Sequence, residues 1–186
     1  LSRTWVESFL LHPHDIRPSL PATMPRLAVT EKQARQLAET LVRSERLLAP
    51  KGDAANGRTL FGQLGCAACH CFSGADTPKA ATYPLRLSAE NLRRAVSLAP
   101  DLRFTRDRYQ PGALVDWLMS PEKQKPDALM PSFPLTQAAA ADLATYLLTT
   151  PLAPMPAVSA PVRLPLLARK VTFDEVNAQV FRKTCW

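Results

Sequence analysis

What this chain lacks narrows it first. No stretch of about 18 consecutive apolar residues occurs, so no segment is long and apolar enough to cross a bilayer as a helix. Glycine is scarce, 6 residues against 18 prolines, which makes the breaks in the chain stiff rather than floppy. Aromatic residues are only 7%, too few for a base-stacking surface. The basic residues behind the net charge of +7 are spread along the chain rather than gathered in a stripe. Nucleic acid is therefore not the expected partner; such a surface either steers an acidic protein or serves solubility alone. Strand-type alternation is also scarce, a pattern that agrees with an all-α chain. The opening Leu1-Ser2-Arg3-Thr4-Trp5 has no initiator Met, basic n-region or small-residue cleavage site, so it reads neither as a signal peptide nor as a natural start.

Four cysteines could make two disulfides, but their placement argues for a site. Cys66, Cys69 and Cys71 are crowded together, and Cys185 is next to last. The run Cys66-Ala67-Ala68-Cys69-His70 has the spacing that attaches a c-type haem. Two thiols must add across the two vinyl groups of one porphyrin, and the next residue, His70, supplies the proximal nitrogen to iron. Upstream, Asn56 to Gly65 reads as a short helix whose Leu60, Phe61 and Leu64 would pack on the porphyrin or on the last helix. A zinc site from Cys66, Cys69, His70 and Cys71 would need four near-consecutive ligands to wrap a tetrahedron, with no second ligand pair downstream. A redox dithiol would want a βαβ setting, and a Cys66–Cys69 disulfide would explain nothing else.

A sixth iron ligand is expected downstream. His12 and His14 lie upstream in another segment, whereas Met130 precedes Pro131, which breaks any helix and stiffens a loop able to present the sulfur. Met119 sits in a helical run and reads as core, and Met155 lies in an open Pro-rich stretch.

The chain also repeats itself. Met24-Pro25-Arg26-Leu27-Ala28-Val29-Thr30 matches Met130 to Thr136 without a gap. Leu37, Ala38, Leu41 and Val42 then stand where Leu143, Ala144, Leu147 and Leu148 stand, each set on an amphipathic helix opened by a Thr cap. Phe9-Leu10-Leu11-His12-Pro13 parallels Trp117 to Pro121, with two extra residues before the Met in the first copy. Met24 thus has the features of an axial ligand without a Cys-x-x-Cys-His before it. At the far end, Val171 to Trp186 resembles the helix leading into Cys66, with Phe181 in the part of Phe61 and Cys185 in that of Cys66. The reading is a window on a longer protein. Residues 1–49 are the C-terminal half of one module, 50–150 a complete module, 151–170 a Pro-rich linker and 171–186 the start of a third.

These residues resemble the class I cytochrome c family, specifically the small modules found in tandem in multihaem electron-transfer subunits. The resemblance rests on Cys66 to His70, on Trp117-Leu118-x-x-Pro121 followed by Met130-Pro131 and the Thr136 helix, and on Ala99-Pro100-Asp101-Leu102. It implies helices wrapped around haem c and electron transfer with His70 and Met130 on the iron. It also implies a Pro100 carbonyl accepting Nδ1–H of His70, and Arg106 or Arg108 near a propionate. The implied partners are redox proteins or other subunits of a membrane-associated complex, in a periplasmic or otherwise extracytoplasmic location. Cys71 departs from the pattern and reads only as a small apolar filler. Three alternatives are a peroxidase-like haem enzyme using Asp127 or Glu122, a monohaem protein with natural ends, and a non-haem module.

Overall fold

The computed structural model describes residues 2–20, 28–42, 51–79, 84, 87–155 and 167–185; the side chains of 183–185 lie outside it. The fold is all-α, with no strand among the described residues. The chain divides into two compact units, Leu1–Ala153 and Pro154–Trp186.

The larger unit is organised around a pair of helices, α3 (Ala54–Gln63) and α8 (Gln137–Thr149). Asp53 opens α3 by accepting from the Ala55 and Asn56 amides, at 2.8 and 3.2 Å. Its own amide donates to Asp142 of α8 at 2.7 Å, and the Asn56 side-chain amide reaches the other Asp142 oxygen at 2.6 Å. One carboxylate thus draws the start of α3 onto α8. Gly57 allows the helices to touch there, because a Cβ at that position would meet the Asp142 carbonyl oxygen at 2.1 Å. One turn on, Phe61 is 0% exposed, with its ring 5.4 Å from Tyr146 of α8 and 6.2 Å from Phe72. Burying one such ring contributes about 1.5–3 kcal/mol.

Helix α6 (Pro111–Met119) starts with proline in its first turn and buries Leu114 and Leu118 against the same core. The short α7 (Pro121–Gln124) follows it. Between the haem-type motif and α6 stand α4 (Ala89–Leu98), capped by Ser88, a single 3₁₀ turn at Leu102–Phe104, and α5 (Thr105–Arg108).

The N-terminal part has its own small core. Helix α1 (Arg3–Leu11) sets Val6 and Leu10 against Ala34 and Ala38 of α2 (Glu31–Leu41). A reciprocal cap opens α2: the Gln33 amide donates to the Thr30 hydroxyl at 3.3 Å, and the Thr30 amide donates to the Gln33 side chain at 2.9 Å. These four buried positions are the repeat counterparts of Leu114, Leu118, Ala140 and Ala144, so the same helix pair is built twice. The two parts, read from sequence as separate modules, share one compact unit. The Ser2 amide donates to the Asp107 carbonyl at 2.9 Å, the Asp101 amide to Ile16 at 2.7 Å, and the Ser19 hydroxyl to Ser97 at 2.8 Å. Met24, the expected ligand of a preceding module, lies outside the described residues.

The smaller unit contains α9 (Phe173–Val176), capped by Thr172 and continuing as a π-helix over Asn177–Cys185. Arg169 pairs with Glu175 across the cap. Phe173 is 72% exposed and α9 has no buried residue, so this unit has no core of its own among the described residues. Nothing in the structure bears on the Cys185 side chain, which lies outside the described set.

Candidate functional site

Helix α3 is followed, after its C-cap Leu64, by Gly65, whose φ of 68° lies in the left-handed region that glycine enters without strain. The chain then winds into one 3₁₀ turn, Cys66–Ala68, closed by the His70 amide on the Cys66 carbonyl at 3.0 Å. That turn brings Cys66, Cys69 and His70 to the wall of one cavity. All three cysteines with described side chains are free thiols. Burial pushes the Cys66 thiol up to about 12 and raises Cys69 as well. Among the described residues, no group of three or more His, Cys, Asp or Glu converges on a point that could hold a bare metal ion.

His70 sits with its Nδ1 2.9 Å from the Pro100 carbonyl oxygen. A carbonyl can only accept, so Nδ1 carries the hydrogen and the lone pair is left on Nε2. Burial holds the imidazole below the usual histidine range, with the Pro100 bond pulling partly the other way, so the ring is neutral and ready to ligate. The Pro100 carbonyl is itself clamped. The next residue, Asp101, is buried and accepts from the Ser73 and Arg103 amides, each at 3.0 Å, and from the Ser73 hydroxyl. The Leu102 amide donates to the Cys71 carbonyl at 2.8 Å. The loop after α4 is thus tied directly to the residues that follow the Cys-x-x-Cys-His run.

Met130 lines the same cavity, and the Trp117 indole Nε1–H of α6 donates to its sulfur at 3.1 Å. A thioether sulfur has two lone pairs; this contact uses one and leaves one to ligate. In the sequence Trp117 is one position of a pattern, with no role of its own. Only the folded geometry, which brings residues 13 positions apart together, reveals one.

The cavity measures about 710 Å³, within the range of about 300–1,000 Å³ of ligand sites. Leu118, Leu143 and Leu147 supply apolar walls. Arg108 also lines it and makes no ion pair among the described residues; burial lowers its pKa, and its guanidinium lies 5.9 Å from the centre of the Tyr109 ring. Arg106 instead spends a guanidinium N–H on the Thr150 carbonyl at 2.8 Å. Two thiols, a neutral imidazole with a free nitrogen, a held thioether, apolar walls and two arginines without an ion pair among the described residues, Arg94 and Arg108, suit a haem with its propionates.

Other residues fall elsewhere. Cys71 is exposed, and the buried place beside it belongs to Phe72, so it is not a core filler. Glu122 is exposed and accepts from the Ser132 hydroxyl; Asp127 lines the cavity but is itself exposed and pairs with Lys125 at 3.4 Å. Met119 packs on the core edge, and Met155 is exposed. Trp5, Phe9 and Ile16 line the cavity too, a placement with no signal in the local sequence.

An all-α wrap whose Cys-x-x-Cys-His turn opens onto a cavity of this chemistry defines a c-type cytochrome domain. The family model for cytochrome c matches residues 54–151, and the chain belongs to the cytochrome c family. No curated protein and no solved structure matches the chain. Membership implies covalently bound haem c with its iron, electron transfer and redox partner proteins. Among the described residues, no helix is long and apolar enough to cross a membrane.

Proposed function

We propose that this chain passes single electrons through a haem c joined to Cys66 and Cys69, with His70 and Met130 as its two axial ligands, inside a subunit that carries more than one such haem. The bound iron supplies a one-electron couple. The rest is done by side chains. The Pro100 carbonyl fixes the His70 tautomer and ring, and Trp117 holds the Met130 sulfur, so both ligands stay put when the charge changes. A filled pair of ligand positions leaves no site for a substrate, which favours a carrier over an enzyme. Arg108, which lines the cavity, is the cation placed to meet a propionate, with Arg94 a second on the wall of the same cavity. The observation that carries this reading is that His70 and Met130, each held by a hydrogen bond, line one cavity with both thiols.

The multihaem part draws support from the unfinished halves. Leu37 and Leu41 of α2 are 41% and 64% exposed, while their repeat counterparts Leu143 and Leu147 are buried on the haem cavity. Residues 1–49 then end one module, with Met24 its axial ligand. Residues 50–150 form the complete one, 151–170 the linker, and 171–186 begin another, with Cys185 its first thioether position. Such a subunit works outside the cytoplasmic membrane, in the periplasm, and hands electrons to other subunits of a membrane-associated complex.

The test is the intact mass of the denatured natural protein, read with its haem absorbance. One haem added to the 20.5 kDa of this chain would support attachment and end the multihaem reading. A larger polypeptide with two or more haems supports both. A colourless protein of bare polypeptide mass overturns the reading. In the haem-loaded protein, Met130→His should lower the reduction potential, since an imidazole replaces a thioether; an unchanged potential would remove Met130 from the iron.

A further inference from the structure

We propose that residues 2–19, which lie wholly outside the stretch 54–151 matched by the family, serve this module's haem. Helix α1 and the turn after it wall one side of the cavity and hold the loop that orients His70. The proposal rests on the haem reading above but not on the multihaem one.

Three observations converge. Trp5, Phe9 and Ile16 line the same cavity as Cys69 and His70. The Trp5 and Phe9 rings stack 4.9 Å apart, and His14 meets Phe9 at 5.5 Å and Phe104 at 5.3 Å, so the aromatic wall runs from α1 to the 3₁₀ turn after Pro100. The Ile16 carbonyl accepts the Asp101 amide at 2.7 Å, and the carbonyl of that same peptide group, Pro100 C=O, takes the His70 Nδ1–H. The Ser2 and Ser19 bonds to Asp107 and Ser97 fix this segment on both sides of that contact. Removing the wall would therefore expose one side of the cofactor and loosen the acceptor behind its proximal ligand.

The physical consequence lies in the charge. Oxidised haem carries one more positive charge than reduced haem, and apolar surroundings disfavour the more charged form. A wall of Trp5 and Phe9 raises the potential relative to an open edge. The two faces of α1 are separable, because Val6 packs on α2 in the small N-terminal core and does not line the cavity.

The experiment uses the full chain with haem attachment first verified by mass. A chain without haem fails the cofactor reading; a loaded chain tests this proposal alone. Phe9→Ala should shift the one-electron reduction equilibrium about threefold toward the ferric form, roughly 28 mV at 59 mV per decade. It should also speed reduction by dithionite. Phe9→Gln, which keeps the volume but makes the wall polar, should shift the potential in the same direction, and it stands in if the alanine variant does not fold. Val6→Ala should lower thermal stability and leave the potential unchanged. Phe9 variants with the wild-type potential, or Val6→Ala moving it as far as Phe9→Ala, would overturn the proposal.

Discussion

The same helix pair occurs twice in this protein, in two different surroundings. In both copies a branched aliphatic pair on the first helix, Val6 and Leu10 or Leu114 and Leu118, packs on a small-residue pair of the second, Ala34 and Ala38 or Ala140 and Ala144, and all eight are buried. The copies differ on the other face of the second helix. Leu143 and Leu147 are 2% and 3% exposed, whereas Leu37 and Leu41 are 41% and 64% exposed. The helix–helix seam is thus intrinsic to the repeat, since it forms with or without the rest of a module. The second face is conditional: it is covered only where α3 brings Phe61 across Gly57 and where the cavity for the cofactor lies. Among the described residues, the cavity that suits haem lies beside the copy with the covered face.

The largest effect should come from breaking what the complete copy alone possesses. Phe61 is fully enclosed among Phe72, Tyr146 and the α8 leucines, so Phe61→Ala should cost about 3–5 kcal/mol of unfolding free energy. Urea unfolding of the full chain would measure it. A loss below about 1 kcal/mol would mean that α3 does not organise this core.

The next effect compares the repeats directly. Leu147→Ala should cost about 2–5 kcal/mol, because its side chain is buried between the core and the cavity. Leu41→Ala, at the equivalent position on α2, should change stability by no more than about 0.5 kcal/mol in this chain. Measured as a pair by the same urea titration, equal losses at the two positions would show that the α2 face is covered after all. In a longer natural protein that completes the first module, Leu41→Ala should approach the cost of its counterpart.

Much of this was legible in the sequence, for reasons that can be named. Helix starts announce themselves through local chemistry: Thr30, Ser88, Thr136 and Thr172 each accept from a backbone amide three residues on, at 3.1 to 3.3 Å. The repeat was legible because burial at positions three and four apart survives in the residue types. The Cys66-to-His70 run could be read because thioether attachment tolerates so little variation in spacing. What could not be read were contacts that depend on where distant segments meet. No local pattern says that Phe9 faces the cavity of a module beginning some 40 residues later, or that Ile16 braces Asp101. That Arg108 lines the cavity while Arg106 turns one guanidinium N–H to the Thr150 carbonyl at the end of α8 likewise has no signal in the local sequence. Cys71 looked like a filler because its type is apolar, but the burial on that turn goes to Phe72.

The smallest effect sharpens the comparison at the turns that follow the two first helices. Each turn comes after a buried proline, Pro13 or Pro121, and each is pinned by a carboxylate, but by different partners. In the complete copy the exposed Glu122 accepts from the Ser132 hydroxyl, beside the Met130 loop. In the other copy Asp15 takes two side-chain bonds from the Arg17 guanidinium, at 2.8 and 2.6 Å, and its side chain is only 7% exposed. Those bonds hold the Asp15 carboxyl below the usual carboxylate range, against the opposing effect of burial. A depressed folded-state value means that the unfolded chain binds the proton more readily. The contribution is complete above the unfolded value of about 4 and fades as pH falls through the lower folded one. Asp15→Asn should therefore melt slightly below wild type at pH 6, by less than about 1 kcal/mol because Arg17 remains partly in solvent. The gap should close as the pH is taken well below 4. A gap that persists undiminished in acid would assign the effect of the substitution to packing at the cavity mouth rather than to the ion pair.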